Sequence, residues 1–252
     1  MKIFRKIRQD LLAQRKTRKY LKYAIGEIIL VIIGILIALQ INNLNNYNSQ
    51  RDLEREYLLS LRSEFQTNFE RIEKSIENNT RNFKAVEELL QLFDPAILAA
   101  TGDQELSEKM YNVFGYGIAY QPATGVLDDI IASGKLNLIL NNQLRQHLAA
   151  FKSSLAFFDI QKNFAFSDMQ KTLDFLQKNG SIKQVITDTG KVSLNYQSIS
   201  ATKDNRTLFE SAEFENYMLG YYLTIRAANS DSFLGGVRKE IDTILKEIDQ
   251  EL

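Results

Sequence analysis

Residues 24–41 read AIGEIILVIIGILIALQI, eighteen residues with one charge, Glu27, and one amide, Gln40. At a rise of ~1.5 Å per residue this stretch makes a helix of about 27 Å, close to the ~30 Å hydrocarbon core of a bilayer. Such a helix is apolar on every face, which a soluble core rarely accommodates at this length, so the stretch reads as a transmembrane span. The flanks orient it. Lys2, Arg5, Lys6, Arg8, Arg15, Lys16, Arg18, Lys19 and Lys22 precede it against a single Asp10, whereas Asn42, Asn43, Asn45, Asn46 and Asn48 follow it and Arg51 is the first basic residue beyond. This bias places the N-terminus in the cytoplasm and the long C-terminal part outside. The basic region is too long for a cleaved leader, and residues 38–41 lack a small-x-small cleavage pattern. The expected organisation is therefore a basic cytoplasmic tail at 1–23, an uncleaved span at 24–41 and one extramembrane domain at 42–252.

Within the span, Glu27 has two readings. A buried ionisable group in lipid is costly and often marks an ion path. Glu27, however, lies about one turn from the cytoplasmic end, near Lys22, where a carboxylate reaches the interface by extending its side chain, and this second reading is favoured. Gly34 and Ala38 form a small-xxx-small pair that allows another helix to approach closely, a weak signal for association within the membrane.

The whole chain has 252 residues with 31 basic and 31 acidic side chains. Because the first 22 residues carry a net +8, residues 42–252 carry about −7, which argues against nucleic-acid binding by the large domain. There is no cysteine, and His147 is the one histidine, so thiolate, multi-histidine zinc and di-iron sites fail on ligand count. Ser133-Gly134-Lys135 lacks the rest of a phosphate loop. Asp128 and Asp129 are neighbours, but adjacent helical positions diverge by about 100° and do not form a joint site. The expectation is a non-enzymatic protein without a cofactor or metal.

Two prolines and twelve glycines argue against a turn-rich β fold. Helical periodicity dominates instead. Phe65, Phe69, Ile72, Ile76, Phe83, Val86, Leu90 and Phe93 step by three and four along residues 50–93, with Asn79 filling the one gap. Two arrangements bury such a stripe: the seam of a homodimeric coiled coil with Asn79 fixing register, or an intramolecular bundle. Four phenylalanines favour the bundle, because Leu and Ile dominate parallel seams. Whether this helix is continuous with the span is open at this stage. Asp94-Pro95 ends it. A helix over 104–116 and another starting at Gln121-Pro122, with Pro in its first turn, are expected next, the latter stopping at Ser133-Gly134. Asn141 caps a long helix over 142–178, whose Leu144, Leu148, Phe151, Leu155 and Phe158 form one apolar face. Phe157, Ile160 and Phe164 form a second, which places this helix centrally in the bundle. Residues 180–206 read as irregular, with 191–199 either a short strand or a loop. Residues 209–228 and 232–250 read as two last helices, with Gly235-Gly236 interrupting the final one or delaying its start.

Residues 23–43, YAIGEIILVIIGILIALQINN, together with the opening MKIFRKIRQDLL, the stretch KYLKYAIGEI and residues 126–148, VLDDIIASGKLNLILNNQLRQHL, resemble a family of uncharacterised single-pass membrane proteins abundant in Bacteroidota, a domain of unknown function. The resemblance implies a Gram-negative inner-membrane protein facing the periplasm, and implies no activity.

The expected fold is thus all-α, a transmembrane helix followed by a periplasmic bundle of long helices. The expected function is a membrane-anchored interaction or scaffold protein of an envelope complex, with the lipid bilayer and either a protein partner or a homo-oligomer as its contacts. The alternative is a periplasmic sensor that binds a ligand and signals through a partner. Tyr111, Phe114, Tyr116 and Tyr120, spaced by Gly115 and Gly117, are the candidate ligand-lining residues, since tyrosines joined by glycines can line a cleft.

Overall fold

The fold is described from a computed structural model, which covers residues 17–114, 118–197, 199 and 203–252. The basic segment 1–16 and Tyr116 lie outside the described residues. All regular elements among the described residues are helical. Helix α1 runs over Thr17–Leu90, 74 residues, and a 3₁₀ turn follows at Gln91–Phe93. The span and the 50–93 stripe therefore belong to one helix. Next come α2 (Pro95–Ala100), α3 (Asp103–Phe114), α4 (Gly125–Ala132), a 3₁₀ turn at Lys135–Leu138, and α5 (Asn142–Asn179). The chain closes with α6 (Ile182–Asp188), a 3₁₀ turn at Asn205–Glu210, α7 (Ala212–Ala227) and α8 (Leu234–Glu251).

The chain divides into two compact units, Met1–Glu56 and Tyr57–Leu252. In the first, the helix is long and apolar enough to cross a membrane and buries none of its most apolar window within the protein. Ile25, Ile28, Ile29, Leu30 and the apolar residues through Ile41 are exposed on all sides. Gly34 has open space around it, so its face can receive another helix.

The second unit has two apolar clusters. One gathers Leu61, Phe65 and Ile72 of α1, Leu127 and Ile130 of α4, Leu148 and Phe151 of α5, and Ile241, Ile244 and Ile248 of α8. The other gathers Val86 and Leu89 of α1, Leu106 and Met110 of α3, Leu176 of α5, Val185 of α6, and Phe214, Met218 and Ile225 of α7. Helices α1 and α5 contribute to both. The α1 stripe is thus consumed within the chain, as expected of a bundle. Asn79 is buried, and its amide donates to the Ile225 carbonyl at 2.8 Å and to Asn229 Oδ1 at 2.9 Å. It fastens α1 to the end of α7 rather than setting the register of a dimer.

Local signals explain most helix ends. Asp94 accepts from Ala96 N and Ile97 N ahead of Pro95, and Asn141 accepts from Gln143 N and Leu144 N. Gly134 adopts φ 68°, the left-handed conformation that closes α4. At the start of α8, a Cβ on Gly236 would lie 2.1 Å from the Asp231 carbonyl oxygen, so only glycine lets the turn at 229–231 fold back there. The glycine pair thus lies inside the first turn of α8 rather than interrupting it.

Three expectations are corrected. No helix starts at Gln121-Pro122; residues 118–124 are non-helical and α4 begins at Gly125. Residues 180–206 contain α6, capped by the Ser181 hydroxyl, which accepts from Gln184 N, while 191–197 has no regular structure. Finally, α5 is not central on both faces. Its Leu148/Phe151/Phe158 face is buried, but Phe157, Ile160 and Phe164 are 49%, 55% and 60% exposed.

Candidate functional site

Helix α1 carries a row of polar side chains that reads the main chain of residues 119–127. Glu64 accepts from Val126 N at 2.7 Å and Leu127 N at 3.1 Å, which caps α4 from a distant helix. Asn68 donates to the Ala123 carbonyl and accepts from Ala123 N, both at 2.7 Å. Arg71 donates to the Gln121 carbonyl at 3.0 Å, and the Ser75 hydroxyl donates to the Ala119 carbonyl. These four residues recur at helical spacing, so one face of α1 holds the segment in place. This explains why Pro122 does not open a helix: its neighbours' amides and carbonyls are taken by α1.

The four aromatic candidates do not converge. Tyr111 and Phe114 are half-buried and pack on the cluster around α7, and the Lys191 ammonium lies 3.8 Å from the Tyr111 ring centre. Tyr120 is buried in the other cluster, edge-on to Phe158 at 5.6 Å. Its hydroxyl has no hydrogen-bond partner among the described residues, and burial pushes its pKa well up despite the Arg71 charge, which lowers it. Tyr116 lies outside the described residues.

The other polar candidates act in pairs. His147 Nδ1 lies 2.9 Å from Glu247 Oε2 and ties α5 to α8. Asp128 is held below the usual carboxylate range by hydrogen bonds from Lys152 and Thr124, so it is a paired surface group. Among the described residues, no three His, Asp or Glu side chains converge as metal ligands would.

Two concavities among the described residues bear on function. The first, about 400 Å³, is lined by Asn78, Arg81, Asn82, Lys84, Ala85 and Glu88 of α1 and Asn112 of α3. Most of its lining residues are polar, and the Asn82 amide on its wall donates to the Tyr221 hydroxyl at 2.8 Å. The second, about 430 Å³, lies between α5 and the start of α8. Phe157, Phe158, Phe233 and Val237 form its apolar surface, with Ser153, Ser154, Asp231 and Glu240 around them. Its floor is fixed, because Phe158 meets Phe233 edge-on at 5.7 Å and Tyr120 on its other side. Ile160 and Phe164 continue the apolar row of Phe157 along α5. The periodicity of this row was legible in the sequence; its exposure was not.

The comparisons with known proteins bear on the whole of this arrangement. A model of a family of unknown function, DUF6090, matches residues 27–194. The chain belongs to that family. The DUF6090 match runs from within the candidate span through α6, so it includes the α1 row, the segment it holds and the exposed face of α5. Helices α7 and α8 lie beyond it. No curated protein and no solved structure matches the chain.

Proposed function

We propose that this protein is a membrane-anchored, non-enzymatic interaction module of an envelope complex, a scaffold or accessory subunit. The observation that carries this reading is the exposed row Phe157, Ile160 and Phe164 on α5, opposite that helix's core face. Three large apolar side chains at helical spacing, each about half exposed, are the kind of patch that marks an interaction site on a protein surface. In this reading the span sits in the inner membrane with the N-terminus in the cytoplasm and the helical domain in the periplasm, as the excess of basic residues before the span supports. Alkaline phosphatase fused after Leu252 is expected to be active and the same fusion before Met1 inactive; the reverse pattern overturns the orientation.

The test of function is a pull-down of the tagged full chain from native membranes crosslinked before mild-detergent extraction. A specific protein partner supports the reading, and recovery of the chain alone contradicts it.

The polar concavity lined by Asn78, Arg81, Asn82, Glu88 and Asn112 favours a second reading, a ligand-binding sensor that signals through a partner. Three amides, the cations Arg81 and Lys84, the anion Glu88 and a volume of about 400 Å³ suit a small polar molecule with anionic character. A metabolite that raises the melting temperature of the wild type but not of Asn82→Leu supports this reading; a panel with no stabilising compound counts against it.

A further inference from the structure

The apolar row on α5 and the groove beside it also define what docks there. We propose that they receive an amphipathic helix of a partner protein, one that carries apolar side chains at i, i+3 or i+4, and i+7 and a Lys or Arg beside them. This rests on the interaction-module reading and names the chemistry of its partner. The row Phe157, Ile160, Phe164 steps by three and four, so it presents a ridge that a helix of matching apolar spacing packs along. The groove at one end of the row has a rigid aromatic floor, Phe158 and Phe233, which does not need to rearrange to accept a side chain.

The charge comes from Glu240. Its carboxylate lines the groove and has no hydrogen-bond or ion-pair partner among the described residues, whereas the neighbouring Asp231 is paired with Lys239. A partner's cation at that place meets a free carboxylate next to an apolar surface. A second copy of this chain fits less well. Its matching face would bring another Glu240, and Lys239 beside the groove is already paired with Asp231. An anionic lipid surface is disfavoured by the same free carboxylate. With about half of a 150–250 Å² side chain free at each position, the row offers about 300 Å² against the ~800 Å² per partner of a stable interface. The contact is therefore a weak, reversible one.

The full chain in phosphatidylcholine nanodiscs tests this, with empty nanodiscs as the blank and two synthetic helices as probes. Both carry Leu at i, i+3 and i+7; one has Lys flanking the leucines and the other Glu. Fluorescence anisotropy is expected to show saturable binding of the Lys helix and about fivefold weaker binding of the Glu helix, the size of one partly exposed charge contact. Ile160→Ser/Phe164→Ser is expected to abolish binding of both, and Glu240→Lys to reverse the preference. No binding of either helix, equal binding of both, an unchanged preference in Glu240→Lys, or an Ile160-dependent homodimer by light scattering each overturns the proposal. A native partner that is still retained by Ile160→Ser/Phe164→Ser would overturn it too, while leaving the interaction-module reading intact.

Discussion

Asn68 illustrates how single residues on α1 shape the rest of the domain. Its side chain replaces the partner that residue 123 would find in a sheet or helix, giving both its N–H and its carbonyl a bond at 2.7 Å. Asn68→Ala leaves both half-buried main-chain groups without that partner, so a loss of about 1 kcal/mol is expected in urea unfolding of the full chain in nanodiscs. A cost under about 0.5 kcal/mol would show that the 119–127 segment is held by other means. Tyr120 makes the opposite case. Its hydroxyl is buried without a partner among the described residues, so Tyr120→Phe removes a polar group and keeps the ring packed on Phe158. The melting temperature is expected to stay level or rise, by the equivalent of about 1 kcal/mol. A marked fall would reveal a bond made by that hydroxyl. Residue-level signals with local causes were legible in the sequence: Asn141, Asp94 and Gly134 act on neighbours within four positions. Pro122 was misread because Glu64, Asn68, Arg71 and Ser75, which decide its conformation, bond main-chain groups 44 to 63 residues away from them in the chain.

At the scale of elements, α5 shows what periodicity reveals and what it hides. The two apolar faces were visible as spacings, but spacing does not state how many neighbours a helix has. Helices α7 and α8 cover one face, and Phe157, Ile160 and Phe164 remain in solvent. Their replacement by serine is expected to change the melting temperature by less than the equivalent of about 0.5 kcal/mol, because surface positions contribute little to folding. A large loss would mean that this face is covered within the chain. The short α6 escaped notice because seven residues carry too little periodicity; its Ser181 cap was the one available sign. Between α5 and α7, Asp168 accepts from Thr224 and Lys171, each at 2.8 Å. Burial raises its pKa, but these two hydrogen bonds and the Lys171 charge more than offset that and hold it below the usual carboxylate range. A pKa depressed in the folded state stabilises the fold above the unfolded value, about 3.9, and this contribution is lost as the pH falls through the folded pKa. Asp168→Asn is therefore expected to melt below the wild type at pH 7, with the difference closing below about pH 4. A difference independent of pH would contradict that account.

At the scale of the whole molecule, the chain divides into two units of unlike chemistry. Residues 24–41 of the first unit form an apolar helix exposed on all sides; the second unit buries its apolar stripe in two clusters and leaves a row on α5 open. The all-helical class, the candidate span and the bundle were legible because each is a matter of composition and period. The candidate site was legible only in part. The four aromatics were grouped by sequence proximity, yet Tyr111 and Tyr120 belong to different clusters because residues 118–124 lead away from α3 along α1. The central claim is that the exposed face of α5 meets a protein while the chain is anchored in its membrane. The most direct measurement places a photo-crosslinking amino acid at Ile160 or Phe164, and as a control at Lys178, in cells of the native host. The account predicts one discrete protein adduct from positions 160 and 164 that is absent from 178. Lipid adducts alone, or the same adducts from all three positions, would contradict it.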